Sequence, residues 1–551
     1  MVVELKRGGA GGEAADEPRL RPREGAYLGP ESDGPSRLAW DEWIVVLVIG
    51  FAMILTAWSF GGVEADTRKW QIGSGGLALG VTLLVRIFGG QDTLGGILRH
   101  LLFFPPFWFG IFLFGYAYLQ AINPEFKLVQ GLVRERPVWW LTNEGLLPRD
   151  GWPTSIQAPD DFGNPFSFIE RYLAAWLLVL AIWIGVRRRK VVALILVLFL
   201  SNGLVYSVVT LLQEIDGTNK LLWTRYWSGR DFSGSFYYRN HGGAFLYLNL
   251  GVTLAVFFLR HRELGLRWMG DFGFRIFLVF SGSLAAVAAV SSMSRASWMG
   301  AGVLFAIFFG FNFINLFRKR VEHRWLNFGL IALVPLAIGG IAVLSLQQGR
   351  VKERWIDLVN IREESSAVAR IIGDRYSWYL HEQRPTFGFG ADSYRHLSAL
   401  HQDKLKELNL GFNRHRRGDT YLVTHMVAAH NDPLQWLVEL GKVGILPLLG
   451  IIGFWLVVYT WHLRKFQLVD WMLLATICCL VVHSFWELLF LSGSILVATS
   501  GLIALLGSSL LAGANPERGL ELKDAKSSRK SSKKNEHSLE KKKSVSQHRA
   551  V

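Results

Sequence analysis

The stretch Val427-Ala-Ala-His430-Asn-Asp-Pro-Leu-Gln435-Trp-Leu-Val-Glu439-Leu-Gly441-Lys-Val-Gly444 runs a polar, histidine-bearing turn straight into an apolar segment spanning residues 443 to 462. A segment that long and apolar crosses a bilayer as a helix, because a helix satisfies its own backbone polar groups in lipid. An ionisable side chain at the mouth of such a span points to chemistry at a membrane surface. Working outward, similar apolar runs occupy 43 to 60, 70 to 88, 101 to 122, 171 to 186, 191 to 213, 242 to 259, 273 to 291, 297 to 317, 326 to 346, 471 to 491 and 494 to 512. The chain therefore reads as an all-α integral membrane protein with about twelve transmembrane helices.

Composition agrees with that reading. Of 551 residues, 51% are apolar, which is too many for an ordinary soluble multidomain protein. The formal charge of +15 could suggest a nucleic-acid partner, yet the basic residues cluster beside alternate spans. Arg187-Arg188-Arg189-Lys190, Arg260 with Arg262, Arg318-Lys319-Arg320 and Arg464-Lys465 all fall between an even span and the next odd one. Such loops stay on the cytoplasmic side, so topology absorbs the charge and no nucleic acid is expected. Both termini are then cytoplasmic. No cleavable signal peptide is expected, since residues 1–42 are polar and Gly-rich with no early apolar core. The two cysteines, Cys478 and Cys479, are adjacent inside a span and suit neither a disulfide framework nor a metal cluster.

This topology sets the domain plan. A polar cytoplasmic segment (1–42) precedes helices 1 to 9 (43–346). A large extracytoplasmic helical loop domain (347–441) lies between helices 9 and 10, helices 10 to 12 follow (442–512), and a Lys- and Ser-rich tail (513–551) closes the chain. Smaller outward segments are Asn123 to Glu170 and Glu214 to Asn240. The large loop is too long to be a simple connection and mixes Trp355, Trp378, Tyr379, Tyr394 and Tyr421 with charges, so it should fold against the membrane face. Within it, Ala367 to Gln383 has helix-like composition, Pro385 stops it, and Gly388-Phe-Gly390 makes a turn. That glycine pair lacks the preceding strand and third glycine of a nucleotide fingerprint. The basic tail is expected to be disordered and could touch anionic lipid headgroups.

The spacing His430-Asn-x-x-Leu-Gln435-x-x-x-Glu439-x-Gly441-x-x-Gly444 resembles the C-terminal signature of the O-antigen ligase and polymerase superfamily, membrane enzymes that move glycans from a polyprenyl diphosphate carrier. Three further outward-facing clusters resemble pieces of the same pattern. Arg230-Asp-Phe-Ser-Gly234-Ser-Phe-Tyr-Tyr-Arg239-Asn240-His241 enters the sixth span and looks like the family's Arg-x-x-Gly-Thr-Phe-x-Asn-x-Asn-His. One residue is inserted between Arg230 and Gly234, so Arg230 and Arg239 are alternative heirs to the family's arginine. Ser292-Met-Ser294-Arg295-Ala-Ser-Trp298 resembles a Ser-Arg-Gly-x-Trp segment; the plain alternative is that Arg295 snorkels to the interface. Ser366-Ala-Val-Ala-Arg370, with Pro385-Thr-Phe-Gly388-Phe-Gly390 fifteen positions beyond Arg370, looks like the family's arginine followed by Pro-x-x-Gly-x-Gly. The tryptophan expected soon after that arginine is displaced to Trp378, which makes Arg375 a competitor. Either arginine could instead form a surface salt bridge with Glu363, Glu364 or Asp374.

The resemblance implies a helical bundle with a periplasmic helical domain over an outward cavity, and a metal-independent glycosyltransferase with no cofactor. Its partners would be a polyprenyl diphosphate-linked glycan donor, a glycolipid or glycan acceptor, and membrane lipid. Ligation of O-antigen to lipid A-core, polymerisation of repeat units and glycan transfer to protein share these motifs, and ligation is the leading expectation. The residues suit the chemistry: arginine forks match phosphate oxygens and stay charged, and histidine titrates near neutrality and can take a hydroxyl proton. His430 is thus the candidate general base, with Arg230, Arg239, Arg295, Arg370 and Arg375 as candidate substrate contacts. Alternatives fit less well. His425 to His430 and His396 to His401 are spaced five apart, which turns the rings to different helix faces, and no His-Glu-x-x-His occurs. No Gly-x-Ser-x-Gly elbow lies in the outer loops. A transporter of the same lipid would be expected to show an inverted repeat, and none is evident.

The alternation of basic loops makes a topology test direct. With Cys478 and Cys479 replaced, a single cysteine at 430 should react with an impermeant maleimide from outside the cytoplasmic membrane, and one at 188 only after permeabilisation. The reverse pattern would overturn the orientation.

Overall fold

The computed structural model describes residues 38–89, 92–133, 136–159, 163–226, 233–259, 270–318, 365–413, 423 and 425–512. Outside them lie the ninth expected span (326–346), nearly all of the N-terminal segment, the basic tail, Arg230, Glu363 and Glu364.

The first helices are α1 (Trp40–Trp58), α2 (Ala65–Phe88), α3 (Leu94–Leu102), α4 (Pro105–Ala121), α5 (Pro165–Gly185), α6 (Arg189–Asp216) and α7 (Arg239–Val256). They are followed by α8 (Gly270–Ser291), α9 (Arg295–Arg318), α10 (Ser365–Gln383), α11 (Tyr394–Leu400) and α12 (Gln402–Asn413). The described chain ends with α13 (Asp432–Trp461), α14 (Leu468–Ser484) and α15 (Gly493–Ala512). Among these residues, eight helices are long and apolar enough to cross a membrane: α1, α2, α5, α6, α8, α9, α13 and α15. The run 101 to 122 falls on the bent pair α3 and α4, whose axes turn by 70°. The run 471 to 491 falls on the shorter α14, which stops at Ser484, so residues 485–492 form a non-helical connection. The run 242 to 259 becomes α7, which carries Arg239, Asn240, His241 and Asn249 and is not among the eight. Its residues from Asn240 to Val256 are buried, so it is a central helix enclosed by its neighbours.

One end of the bundle is a belt of ion pairs. Arg86 pairs with Asp92 at 2.9 Å, Arg187 with Asp92 at 2.8 Å, Arg188 with Glu42 at 2.8 Å and Arg189 with Asp470 at 3.6 Å. These bonds tie the beginnings of α1, α6 and α14 to the end of α2. His430, Tyr238 and the 485–492 connection sit where α13 and α7 begin and α14 ends, which is the opposite end of the same helices.

At that opposite end the chain departs from an all-helical plan. The outward segment after α4 forms strands β1 (Pro124–Val133), β2 (Arg136–Leu141) and β3 (Ser155–Gln157), in the order β2-β1-β3. β1 pairs with β2 antiparallel, Phe126 opposite Leu141 and Leu128 opposite Trp139, and with β3 parallel. A two-stranded ladder joins β4 (Lys220–Leu221) to β5 (Arg225–Tyr226). The sheet supplies Ile156, Phe126 and Trp139 to a core whose other side is α10. Val368, Ile372, Tyr376 and Leu380 recur every fourth residue along α10 and are almost fully buried, an apolar stripe at helical period. The outer domain is therefore assembled from two separate loops, a pairing that periodicity within either loop cannot show.

Glycines lock this domain onto the bundle. Gly441 interrupts α13 with φ 63° and ψ −175°, a conformation open in practice only to glycine. Across from it, Gly388 and Gly390 also have positive φ. Phe389 N donates to Val438 O at 3.0 Å, Gly390 N to Glu439 O at 2.9 Å, and Lys442 N to Pro385 O at 2.9 Å. The single hydroxyl hydrogen of Tyr116 is shared between Phe387 O at 2.7 Å and Leu440 O at 2.8 Å, seating α4 against the same junction. A Cβ on Gly441 would meet Gly388 N at 2.5 Å. Gly441→Ala is expected to cost roughly 1–3 kcal/mol from backbone strain alone, and more from the clash, visible as a lowered Tm in detergent. An unchanged Tm would mean that the junction is not needed for folding.

Candidate active site

The first turns of α13 arrange the candidate site. Asn431 caps α13 through its side chain, accepting from Leu434 N at 3.1 Å. His430, just before that cap, has φ 53°, a left-handed backbone that lifts its ring off the helix start. Ala429 N donates to Gln435 Oε1 at 3.1 Å, and Gln435 Nε2 donates to Glu439 Oε1 at 2.9 Å. Glu439 in turn accepts from Asp392 N at 3.0 Å and Tyr394 N at 3.2 Å in the outer domain. Asp392 is anchored to α5 by Arg171 at 2.6 Å. The glutamine and glutamate of the 427–444 motif thus hold the turn in place.

His430 Nδ1 lies 2.7 Å from Glu487 Oε1, and Arg370 Nη2 lies 3.0 Å from Glu487 Oε2. Arg370 Nε also donates to Trp486 O at 3.0 Å. Asn240 Nδ2 and Tyr238 Oη add donors to Glu487 Oε2, and Leu488 N donates to Oε1 at 3.2 Å. Glu487 is 2% exposed, while Arg370 and His430 are about one-third exposed, at 28% and 34%. Burial by itself would raise the Glu487 carboxyl. The His430 hydrogen bond and charge, with the charges of Arg370 and His241, outweigh it and hold the carboxyl well below the usual carboxylate range. Asp432 fixes the 485–492 connection by accepting from Leu489 N at 2.8 Å and Phe490 N at 3.2 Å.

Of the candidates named from sequence, Arg370 and His430 are brought together by a shared carboxylate. Arg239 begins α7, half-buried, next to Tyr238, on whose phenol its charge acts. Arg295 begins α9 just after Met293, whose φ is 56°. Arg375 is exposed on α10, and Arg230 lies outside the described residues. The residue that the sequence reading passed over is Glu487, hidden in a run taken as transmembrane. A signal was present: a carboxylate in an apolar run is expensive and functional by default.

Residues 280–449 match the family model described as O-antigen ligase. Over that stretch the chain is O-antigen ligase-like. The long apolar helices fit a multi-pass membrane protein, and the match points to chemistry of glycosyltransferase type. No curated protein matches the chain. The family match takes in Arg295, Arg370, Arg375 and His430 but stops short of Glu487 and of Arg239, which the O-antigen ligase-like segment meets only through the fold.

Glu487→Gln keeps the shape and removes the charge. It is expected to cost roughly 1–3 kcal/mol near neutral pH. Because the folded carboxyl sits below its unfolded value of about 4.3, its stabilisation is complete above that pH and fades as pH falls further. The Tm gap between wild type and variant should therefore be full at neutral pH and close in acid. Equal Tm values at both would mean that Glu487 carries no net interaction.

Proposed function

We infer that the protein transfers a glycan from a polyprenyl diphosphate carrier to an acceptor hydroxyl, most simply as an O-antigen ligase-like enzyme acting on a lipid A-core acceptor. In this reading it sits in the cytoplasmic membrane with its site on the periplasmic or exterior face. The observation that carries the reading is the His430–Glu487–Arg370 cluster at the end of the bundle away from the ion-paired basic belt.

The reaction needs a proton acceptor, a stabilised leaving group and an oriented acceptor. His430 Nδ1 is held by Glu487, so the carboxylate orients the ring and leaves Nε2 as the nitrogen with no hydrogen bond among the described residues. The acceptor hydroxyl gives its proton to Nε2 as its oxygen bonds to the anomeric carbon of the donor sugar. The bond from that carbon to the phosphate oxygen breaks, and the polyprenyl diphosphate leaves with the electron pair. Arg370 and Arg239 supply charge for that leaving group, aided by the partial positive charge at the N-terminus of α7, and no metal enters the scheme. Near a low-dielectric boundary these charges act more strongly than in bulk water.

In liposomes carrying undecaprenyl diphosphate-linked O-antigen and rough lipopolysaccharide, His430→Gln is expected to lower turnover by about a hundredfold or more. An amide can occupy the histidine's place but cannot take up the proton, so the KM for donor should change little. Near-normal turnover by the glutamine variant would overturn the general-base role.

A further inference from the structure

The site contains a second carboxylate whose circumstances differ from those of Glu487. Asp374 lies four residues after Arg370 on α10, so the two side chains share a helix face opposite the buried stripe of Val368, Ile372 and Tyr376. Gly373 lets the His430 turn come close. A Cβ there would lie 3.1 Å from Met426 and 3.4 Å from Ala429 O, so α10 docks directly on the residues leading to His430. Asp374 is thereby set beside His430 and Asn431, and the charges of both His430 and Arg370 reach it.

Glu487 is saturated: it accepts from His430, Arg370, Asn240, Tyr238 and its neighbour's amide. Asp374, by contrast, has as its hydrogen-bond partner among the described residues only Asn431 Nδ2, at 3.5 Å, the outer limit for such a bond. Its carboxyl is half-buried, and burial raises it above the usual range despite Asn431, His430 and Arg370. A half-buried carboxylate with one long hydrogen bond has acceptor capacity to spare and calls for donors. Diphosphate cannot supply them, because it too only accepts and is negative. A sugar hydroxyl can.

Resting on the glycan-transfer reading above, we propose that Asp374 marks the acceptor subsite, its carboxylate receiving a hydrogen bond from a hydroxyl of the acceptor glycan next to the one deprotonated by His430. Charge then sorts the two substrates. The anionic donor head lies toward Arg370 and Arg239, and the neutral hydroxyls of the acceptor lie toward Asp374. Asp374 takes no proton from the reacting oxygen; it binds and orients the acceptor.

The test is initial-rate kinetics in liposomes, with undecaprenyl diphosphate-linked O-antigen as donor and rough lipopolysaccharide as acceptor. Asp374→Asn is nearly isosteric and retains an oxygen for Asn431, so folding should be preserved; Tm in detergent checks this. Losing a hydrogen bond to a charged group should raise the KM for acceptor roughly tenfold to a hundredfold, with donor KM little changed. Asp374→Glu, which keeps the charge, should recover part of the loss and serves as the readout if the asparagine variant is unstable. An unchanged acceptor KM in folded variants, or a rise confined to donor KM, overturns the acceptor subsite while leaving the transfer reading intact. Absence of transfer by the wild-type protein, with donor and acceptor both verified, overturns the transfer reading and the subsite with it.

Discussion

A carboxylate that is nearly inaccessible to water, at the rim of a membrane bundle, must be given cations and donors or it will not stay ionised. Glu487 is that group, and moving such an ion out of water costs several kcal/mol even after relaxation. The outer end of the molecule is arranged to offset that cost. α7 contributes Asn240 and Tyr238, α10 contributes Arg370, and the turn before α13 contributes His430. Three segments far apart in sequence are thereby drawn to one point. The same contacts that keep the carboxylate charged hold the histidine ring through its Nδ1.

Backbone precision supports this. His430 sits at a left-handed φ, and such a residue stays put only when its surroundings over-determine it. The surroundings are the relay from Ala429 to Gln435 to Glu439, then through Asp392 to Arg171 on α5. The glycines Gly388 and Gly441 allow two backbones to meet where any side chain would intervene. Much of the 427–444 motif is therefore spent on placing one ring, and the outer domain acts as the frame against which α13 is set.

The charge distribution along the bundle has a division of labour. At the basic end, arginines are matched by Asp41, Glu42, Asp92 and Asp470, so they fasten helix ends there. At the other end, Arg370 and His430 share a single saturated carboxylate, with Arg239 beside Tyr238 and Asp374 standing aside on α10.

The apolar character, most of the long apolar helices and the helix over α10 were legible in the sequence, because they follow from local hydropathy and a stop at Pro385. His430 and Arg370 were named from motifs of fixed spacing, and the fold brings the two together on Glu487. Other features depended on contacts between distant segments. The β1–β3 sheet looks like an ordinary polar loop until it packs on α10. Arg370 and Arg375 are five residues apart on one helix, and only the direction of the helix face tells that the first reaches Glu487 while the second is exposed. Glu487 itself was concealed by its apolar neighbours, which extend a span on paper to 491, whereas the helix ends at Ser484 and Asp432 captures the amides of Leu489 and Phe490 beyond it. Hydropathy is a sum over neighbours in the chain, and a buried ion pair is a property of neighbours in space.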